Sequence, residues 1–471
     1  MIREKLTVMD TIIKHAGAAD FQKRNDPGHF FNGAKNMTIK NRCMLVAVFA
    51  VTLMSSSIGL AQEYTLSDLH QQALKNSEKI KYAEENVYIS QMGKNKAWAV
   101  LIPRVTAFGT YNRYTDKKYS ANNNSLIQPE ESGTWGVRAD QSFSLSVREL
   151  DALKFAGQNI AKSEFDLDAT KSDFVLAVAS AYYDVLKAKK TLDIAEDNME
   201  RLTQYRDFAA KRVKVGELTK TALLRANGEL SGAHADYLRA TNALKLARAA
   251  LIRITGIEET FRLKETGIPP ADLDPFEKLR ETAMTTRADL KSYDMQTQMA
   301  GQQVKYARGA FWPSVGVFAI YNRADQNPAT ATLLQESMLA GVSLTFPFFE
   351  GGLRVAELNE AKSKERQAQL AYDDLKKNVD IELRSAYLDL ETQKGTLKFL
   401  EDQLVFARDN YKAVLRQYEN GLATSLDVMD ANTLLLSSEK NVAEALYSYQ
   451  LAHLKVKRSS GTLLKFITGG I

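Results

Sequence analysis

Asp427 and Asp430 stand three residues apart in a stretch that reads as helix, so both carboxylates share one face. Such a pair attracts cations and repels anions. The spacing is equally satisfied by two solvated acids near a helix start, where aspartate suits the helix dipole. No comparable set for catalysis exists. His70, His234 and His453 fall in separate helical stretches without a His-x-x-x-His spacing, which fits surface or seam histidines better than metal ligands. No phosphate-binding Gly-x-x-x-x-Gly-Lys-Ser/Thr loop occurs, so energy for any transport must come from a partner. We therefore expect no enzyme activity, no cofactor and no metal site. Gly228 and Gly232, four apart, read as a close helix contact.

The elements that carry these residues follow from composition and repeats. The 471 residues are 45% hydrophobic and 25% charged, which excludes wholesale disorder. Only 9 prolines occur, none between Pro129 and Pro269 or after Pro347, so either very long helices or a fold with almost no turns is required. No uninterrupted apolar run of about 18 residues exists, which excludes a bundle of membrane-spanning helices. Near the start, Met37 to Arg42 is basic, Met44 to Met54 apolar, and Gly59 to Ala61 small, the three parts of a secretory signal peptide. The only cysteine, Cys43, precedes the apolar run, so the mature chain would have no disulfide and no thiolate site. The first 61 residues hold eight of the 62 Lys/Arg and four of the 57 Asp/Glu, which leaves a net charge of +1 and argues against nucleic acid.

The remainder is an internal duplication. Pro103 aligns with Pro313 and Tyr111 to Arg113 with Tyr321 to Arg323, a shift of 210; Gly216 with Gly421 and Gly256 with Gly461 give 205. The difference falls in the polar stretch Thr115–Gly133. The expected organisation is residues 1–36 as a leader extension or misassigned start, 37–61 signal peptide, 62–266 first repeat, 267–275 linker, and 276–471 second repeat. Each repeat begins with a helical stretch of about 35 residues, Leu66–Val100 and Pro275–Ala310, ended by a proline. Two strands follow. Trp135, Val137, Ala139, Phe143, Leu145 and Val147 form one apolar face, and Met338, Ala340, Val342, Leu344, Phe346 and Phe348 another, with the length and alternation of membrane barrel strands. Taken alone, a soluble hairpin fits too. Then come helices from Arg148 to about Lys214 and Leu353 to about Glu419, each about 100 Å long at 1.5 Å per residue. Turns at Gly216 and Gly421 send the chain back. Heptads through Leu192, Ala195, Met199, Leu202, Ala209 and Val213 (Arg206 interrupting) and through Val428, Ala431, Leu435, Ser438, Val442, Ala445, Tyr449, Ala452 and Val456 indicate coiled coil.

Four strands cannot close a membrane barrel, so copies must share one. At this point the chain resembles the TolC-like outer-membrane efflux (outer-membrane factor) family. The resemblance rests on Tyr64 to Leu69, Ala73 to Asn76, the proline-led strands at Pro103 and Pro313, Gly341 to Gly352, and the tip Tyr418 to Ala431. It implies an α+β membrane protein: a homotrimeric 12-stranded barrel in the outer membrane of a Gram-negative bacterium, continued by a periplasmic α-helical coiled-coil barrel. The implied function is a passive exit duct for efflux or type I secretion, opened at its tip by a periplasmic adaptor (membrane fusion protein) and an inner-membrane pump of RND, ABC or MFS type. The alternative is a periplasmic coiled-coil scaffold without a pore.

The resemblance also assigns residues. Asp427 and Asp430 match two aspartates facing the channel at its narrow entrance, where threefold repetition would raise their pKa values. Tyr418 matches a closure tyrosine. The family's charged latch cannot form, because its positions are Ala423 and Ala222; Glu217, Lys220 and Arg416 are candidate substitutes. Val215, Gly216, Leu218, Thr219, Gly421, Leu422 and Thr424 would make the adaptor-docking turns. Trp98, Phe311, Trp312, Phe346, Phe348 and Phe349, where helices meet strands, read as an interface girdle, with core packing as the competing reading. Thr115–Gly133 and Ala324–Glu336 would be the cell-surface loops. The signal peptide predicts cleavage after Ala61. N-terminal sequencing of the exported protein should begin at Gln62; a sequence beginning near Met1 would exclude it.

Overall fold

A computed structural model describes residues 62–122, 124–265, 274–330 and 333–467. The signal segment and most of the linker lie outside the described residues. The chain opens with β1 (Gln62–Tyr64), α1 (Leu66–Asn76) and α2 (Glu78–Ala99). Strand β2 (Arg104–Arg113), a small hairpin of β3 (Lys118–Tyr119) and β4 (Leu126–Gln128), and β5 (Glu131–Ser144) follow. Helices α3 (Arg148–Lys214) and α4 (Lys220–Thr255) form the first long hairpin, succeeded by β6 (Phe261–Leu263). The second half runs through α5 (Phe276–Thr286), α6 (Ala288–Gly309), β7 (Ser314–Asn327), β8 (Glu336–Thr345), α7 (Leu353–Glu419), α8 (Ser425–Ser459) and α9 (Leu463–Ile467). Among the described residues no helix is long and apolar enough to cross a membrane.

The 67-residue helices α3 and α7 begin and end where the sequence reading places them. The opening helical stretches keep their expected ends but are not continuous. Each breaks once, at Ser77 and at Arg287, without a proline or glycine. Both residues take extended ψ of 126° while their N–H groups still bond Ala73 and Ala283. The expected strands are also too long. Leu145 and Val147 lie past β5, and Phe346 and Phe348 past β8. Val147 itself stops the strand: its φ of 58° is costly for a β-branched residue, and Gly352 occupies the equivalent helix start in the second half.

Four strands form one antiparallel sheet in the order β2-β5-β7-β8, leaving β2 and β8 as its edges. The register sorts its two faces. Val105, Ala107, Val137, Ala139, Val315, Val317, Ala319, Ala340, Val342 and Leu344 share one face. The charges of that face, Arg113, Glu131, Arg323, Asp325 and Glu336, all lie at its loop end. The other face carries mostly Ser, Thr, Gly and Asn. The stretch Thr115–Gly133, with the five extra residues, contains the β3–β4 hairpin.

Near the sheet the helices stand side by side as α2, α3, α6, α7; toward the far end as α4, α3, α8, α7. The heptad residues Ala195, Leu202 and Ala209 are buried, as are Val428, Ala431, Leu435, Ala452 and Val456. At the interruption near Arg206, Tyr205 is the residue buried in the seam. The predicted contact at Gly228 and Gly232 is absent within the chain: a Cβ on either would meet nothing within 4 Å. Within the first repeat, β1 pairs in parallel with β6, joining its two ends, and the Arg248 guanidinium lies 3.9 Å from the Phe261 ring centre.

Arg287, only 4% exposed in its side chain, joins three helices at the α5–α6 break. It donates to Asp289 (2.6 Å), Glu382 (3.0 Å) and the Ser459 carbonyl (3.1 Å). Arg458 brings Asp173 and Glu382 into the same network. Burial alone would raise the Asp289 carboxyl, but Arg287 outweighs it and holds the pKa below the usual value. That contribution is present above the unfolded carboxyl value and lost as pH falls through the lower folded one. Arg287→Ala should cost about 2 kcal/mol, because it empties a buried guanidinium site and leaves two half-exposed carboxylates and the Ser459 carbonyl without their donor. Urea unfolding of the purified protein checks this, and the loss should shrink in acid.

Candidate functional site

The far end of the two long hairpins gathers most of the predicted site residues. At Gly216 (φ 79°) and Gly421 (φ 76°) the helices stop in left-handed turns that glycine adopts without strain. Glu217 N–H donates to the Arg212 carbonyl (2.9 Å) and Leu422 N–H to that of Gln417 (2.8 Å), satisfying carbonyls that the helices leave open. Thr219 and Thr424 then cap the returning helices: their hydroxyls accept from the Ala222 and Asp427 N–H groups. Of the turn residues, Val215 and Leu422 offer exposed apolar side chains. Leu218 packs inward against the seam.

Asp427 has a local duty the sequence reading did not assign. Its carboxylate accepts from the Thr424 N–H and hydroxyl, both at 2.7 Å, completing a capping box. These bonds hold its pKa below the usual carboxylate range. Repulsion between copies, which would raise it, must act against that bias. Asp430 is exposed one turn further along.

Tyr418 is buried, its ring centre 5.5 Å from that of Tyr205 and 5.8 Å from that of Phe208. Burial, with the neighbouring Tyr205, pushes its phenol pKa up. The Tyr205 hydroxyl lies 2.6 Å from that of Ser425. Arg212 closes the cluster. It donates to the Tyr418 carbonyl (3.1 Å), pairs with Glu217 (2.8 Å) and stacks over the Phe208 and Tyr418 rings. Ala423 packs into the same apolar cluster, while Lys220 and Arg416 are exposed. Of the three candidate substitutes only Glu217 takes part, and through Arg212. Sequence reasoning missed Tyr205, Phe208 and Arg212. Only the gap in the heptad near Arg206 hinted at them.

At the opposite end, Trp98, Phe311, Trp312, Phe346, Phe348 and Phe349 are all exposed in the protomer, so core packing does not explain them. Phe346 and Phe348 stack edge to face at 4.8 Å.

A family model described as outer membrane efflux protein matches residues 69–257 and 279–462, nearly all of both halves. The chain belongs to the outer membrane efflux protein family. It is 23% identical over 417 residues to the outer membrane protein TolC of Vibrio cholerae, covering 84% of this chain and 91% of that one. To TolC of Escherichia coli it is 22% identical over 427 residues, covering 87% and 85%. The fold matches the Campylobacter jejuni CmeC outer membrane channel with a TM-score of 0.74 at 18% identity, covering 84% of this chain and 86% of that one.

The capping box makes a checkable claim about this efflux family member. Thr424→Ala removes an acceptor for the Asp427 N–H and a donor to its carboxylate. Amide exchange over residues 425–429 should become several-fold faster at neutral pH. Because the Asp427 pKa is lowered, its share persists above the unfolded value and fades as pH falls through the folded one. The gap between wild type and variant should therefore narrow in acid.

Proposed function

We propose that the chain is the passive exit duct of a tripartite efflux or type I secretion assembly. Three copies would close a twelve-stranded barrel in the outer membrane, and their helices would continue it as a tube through the periplasm. The observation that carries this reading is on α7. Val379, Leu383, Leu390 and Leu397 are buried in the protomer's seam, while Leu370, Ile381, Leu388, Phe399 and Phe406 are exposed. At 100° per residue the exposed set falls within about 20° of one line, opposite the buried set. A helix with two opposed apolar stripes needs a partner on each. The other lateral face is complementary: on α4, Leu224, Leu238 and Leu246 are exposed beside the open Gly228 and Gly232. Joining α7 of one copy to α4 of the next is a head-to-tail contact, which closes into a ring of three when each contact turns the chain by a third of a circle.

In this arrangement the apolar sheet face meets lipid, and the charges at its loop end reach the outer headgroups. The exposed aromatics at the helix–strand junctions form the periplasmic girdle. The segments between β2 and β5 and between β7 and β8 face the cell exterior. Both repeats, 62–266 and 276–471, supply one tip turn each, and Val215 and Leu422 offer an adaptor its apolar contacts. Tyr418 and its cluster hold the resting tip. Asp427 and Asp430, repeated three times, make an acidic entrance that favours cations. No residue set for catalysis enters this account.

The channel reading predicts a heat-modifiable, membrane-extracted trimer that conducts in planar bilayers. Phe399→Asp combined with Leu388→Asp should leave monomers in detergent, each charge facing an apolar partner. Asp427→Ala with Asp430→Ala should keep the trimer, weaken cation selectivity and abolish block by multivalent cations from the periplasmic side. Recovery of the wild type in the soluble periplasmic fraction would instead support a scaffold without a pore.

A further inference from the structure

The polar face of the sheet, which lines the pore in the reading above, is not uniformly polar. Its only charged side chains within β2, β5, β7 and β8 are Arg104, Arg138 and Asp140, two cations against one anion. They stand beside two phenylalanines. Arg104 lies directly across from Asp140, and Asp140 directly across from Phe318. Arg138 Nε donates to Asp140 Oδ1 at 2.6 Å, and its guanidinium carbon is 6.0 Å from the Phe318 ring centre.

Both rings lean along the wall. Phe318 is paired with Gly341, where an added Cβ would come within 2.6 Å of the ring. Phe108 is paired with Gly136, where the corresponding distance is 2.8 Å. Glycine under a cross-strand aromatic ring lets the ring cover bare backbone and turn a flat surface outward. Phe108 stays 38% exposed despite this cover.

We propose that Arg104, Arg138, Phe318 and Phe108 form a contact site for aromatic anions inside the barrel. Each copy contributes a net positive charge for a carboxylate or sulfonate, and flat rings on which an aromatic ligand stacks. The Arg138–Phe318 contact keeps the guanidinium plane beside the ring that receives the ligand. Asp140 fixes that geometry without cancelling both arginines. The inference rests on the channel reading, because only a closed barrel turns this face into a pore wall.

The test uses the full-length protein in planar bilayers, with naphthalene-2-sulfonate added on the loop side and methanesulfonate as the control. Naphthalene-2-sulfonate should interrupt the current at concentrations where methanesulfonate does not. Arg138→Gln and Phe318→Ala should each raise the half-blocking concentration about tenfold, a loss of the size expected for a partly desolvated cation–π or stacking contact. Phe318→Leu, which keeps bulk over Gly341, should weaken the block to the same extent. Migration as a heat-modifiable trimer and unchanged open conductance verify that each variant is intact. Normal conductance with a block that the variants leave unchanged, or with equal block by methanesulfonate, would overturn this inference alone. No conductance in the wild type would overturn the channel reading and this inference with it.

Discussion

The unpaired edges of β2 and β8 are the constraint on which the rest of the molecule depends. A four-stranded sheet with an apolar face cannot stand in hydrocarbon while two rows of N–H and C=O groups lack partners, each costing several kcal/mol. Water would satisfy the edges, but then the apolar face would be exposed. Closure against further copies satisfies both demands at once. The same demand appears on the helices, where α7 shows a second apolar stripe and α4 an open, small-residue face.

The protomer's own packing runs along its helices. Its buried core is split into three clusters strung along the helices, around Tyr182, around Leu383 and around Tyr205 with Tyr418. The middle of the chain is braced by polar links: Arg287 across α6, α7 and α8, and Asn432 bonded to the buried Asn198 at 2.9 Å between α8 and α3. A buried amide pair in a long seam tolerates only the register that pairs it. The first hairpin is thereby fixed against the second at a defined height, and the two tip turns come level.

Much of this was legible in the sequence, for identifiable reasons. Without proline, α3 and α7 could run from Arg148 and Leu353 until Gly216 and Gly421 ended them, and two-residue alternation exposed the strands. The breaks at Ser77 and Arg287 were not legible. No local breaker marks them, and tertiary partners such as the Ser459 carbonyl and Glu382 hold the second in place. Strands β1 and β6 are three residues long, too short to show a period. At the tip, the carboxylate spacing was visible, but the use of Asp427 in a cap depends on Thr424 three residues earlier. The aromatic cluster joins Tyr205 to Tyr418, 213 positions apart, and no local pattern foretells it.

Aligning the two halves shows where the scaffold stayed symmetric and where its chemistry parted. Phe108 over Gly136 corresponds to Phe318 over Gly341, so the ring-over-glycine device occurs in both. The charges do not. Arg104, Arg138 and Asp140 correspond to Ser314, Ser343 and Thr345, whereas Asp427 and Asp430 correspond to Ala222 and Arg225. On the polar face of the sheet the charged residues therefore belong to the first half, and at the tip the carboxylate pair belongs to the second. Near the sheet and near the tip the two halves lie side by side, so each level receives charge from one half and a neutral or opposite partner from the other. Symmetric charges on both halves would double the density on every level and, at the tip, add two more carboxylates near Asp427 and Asp430. Divergence at these few positions keeps the repeated backbone while setting a cationic patch in the sheet apart from a carboxylate pair at the tip.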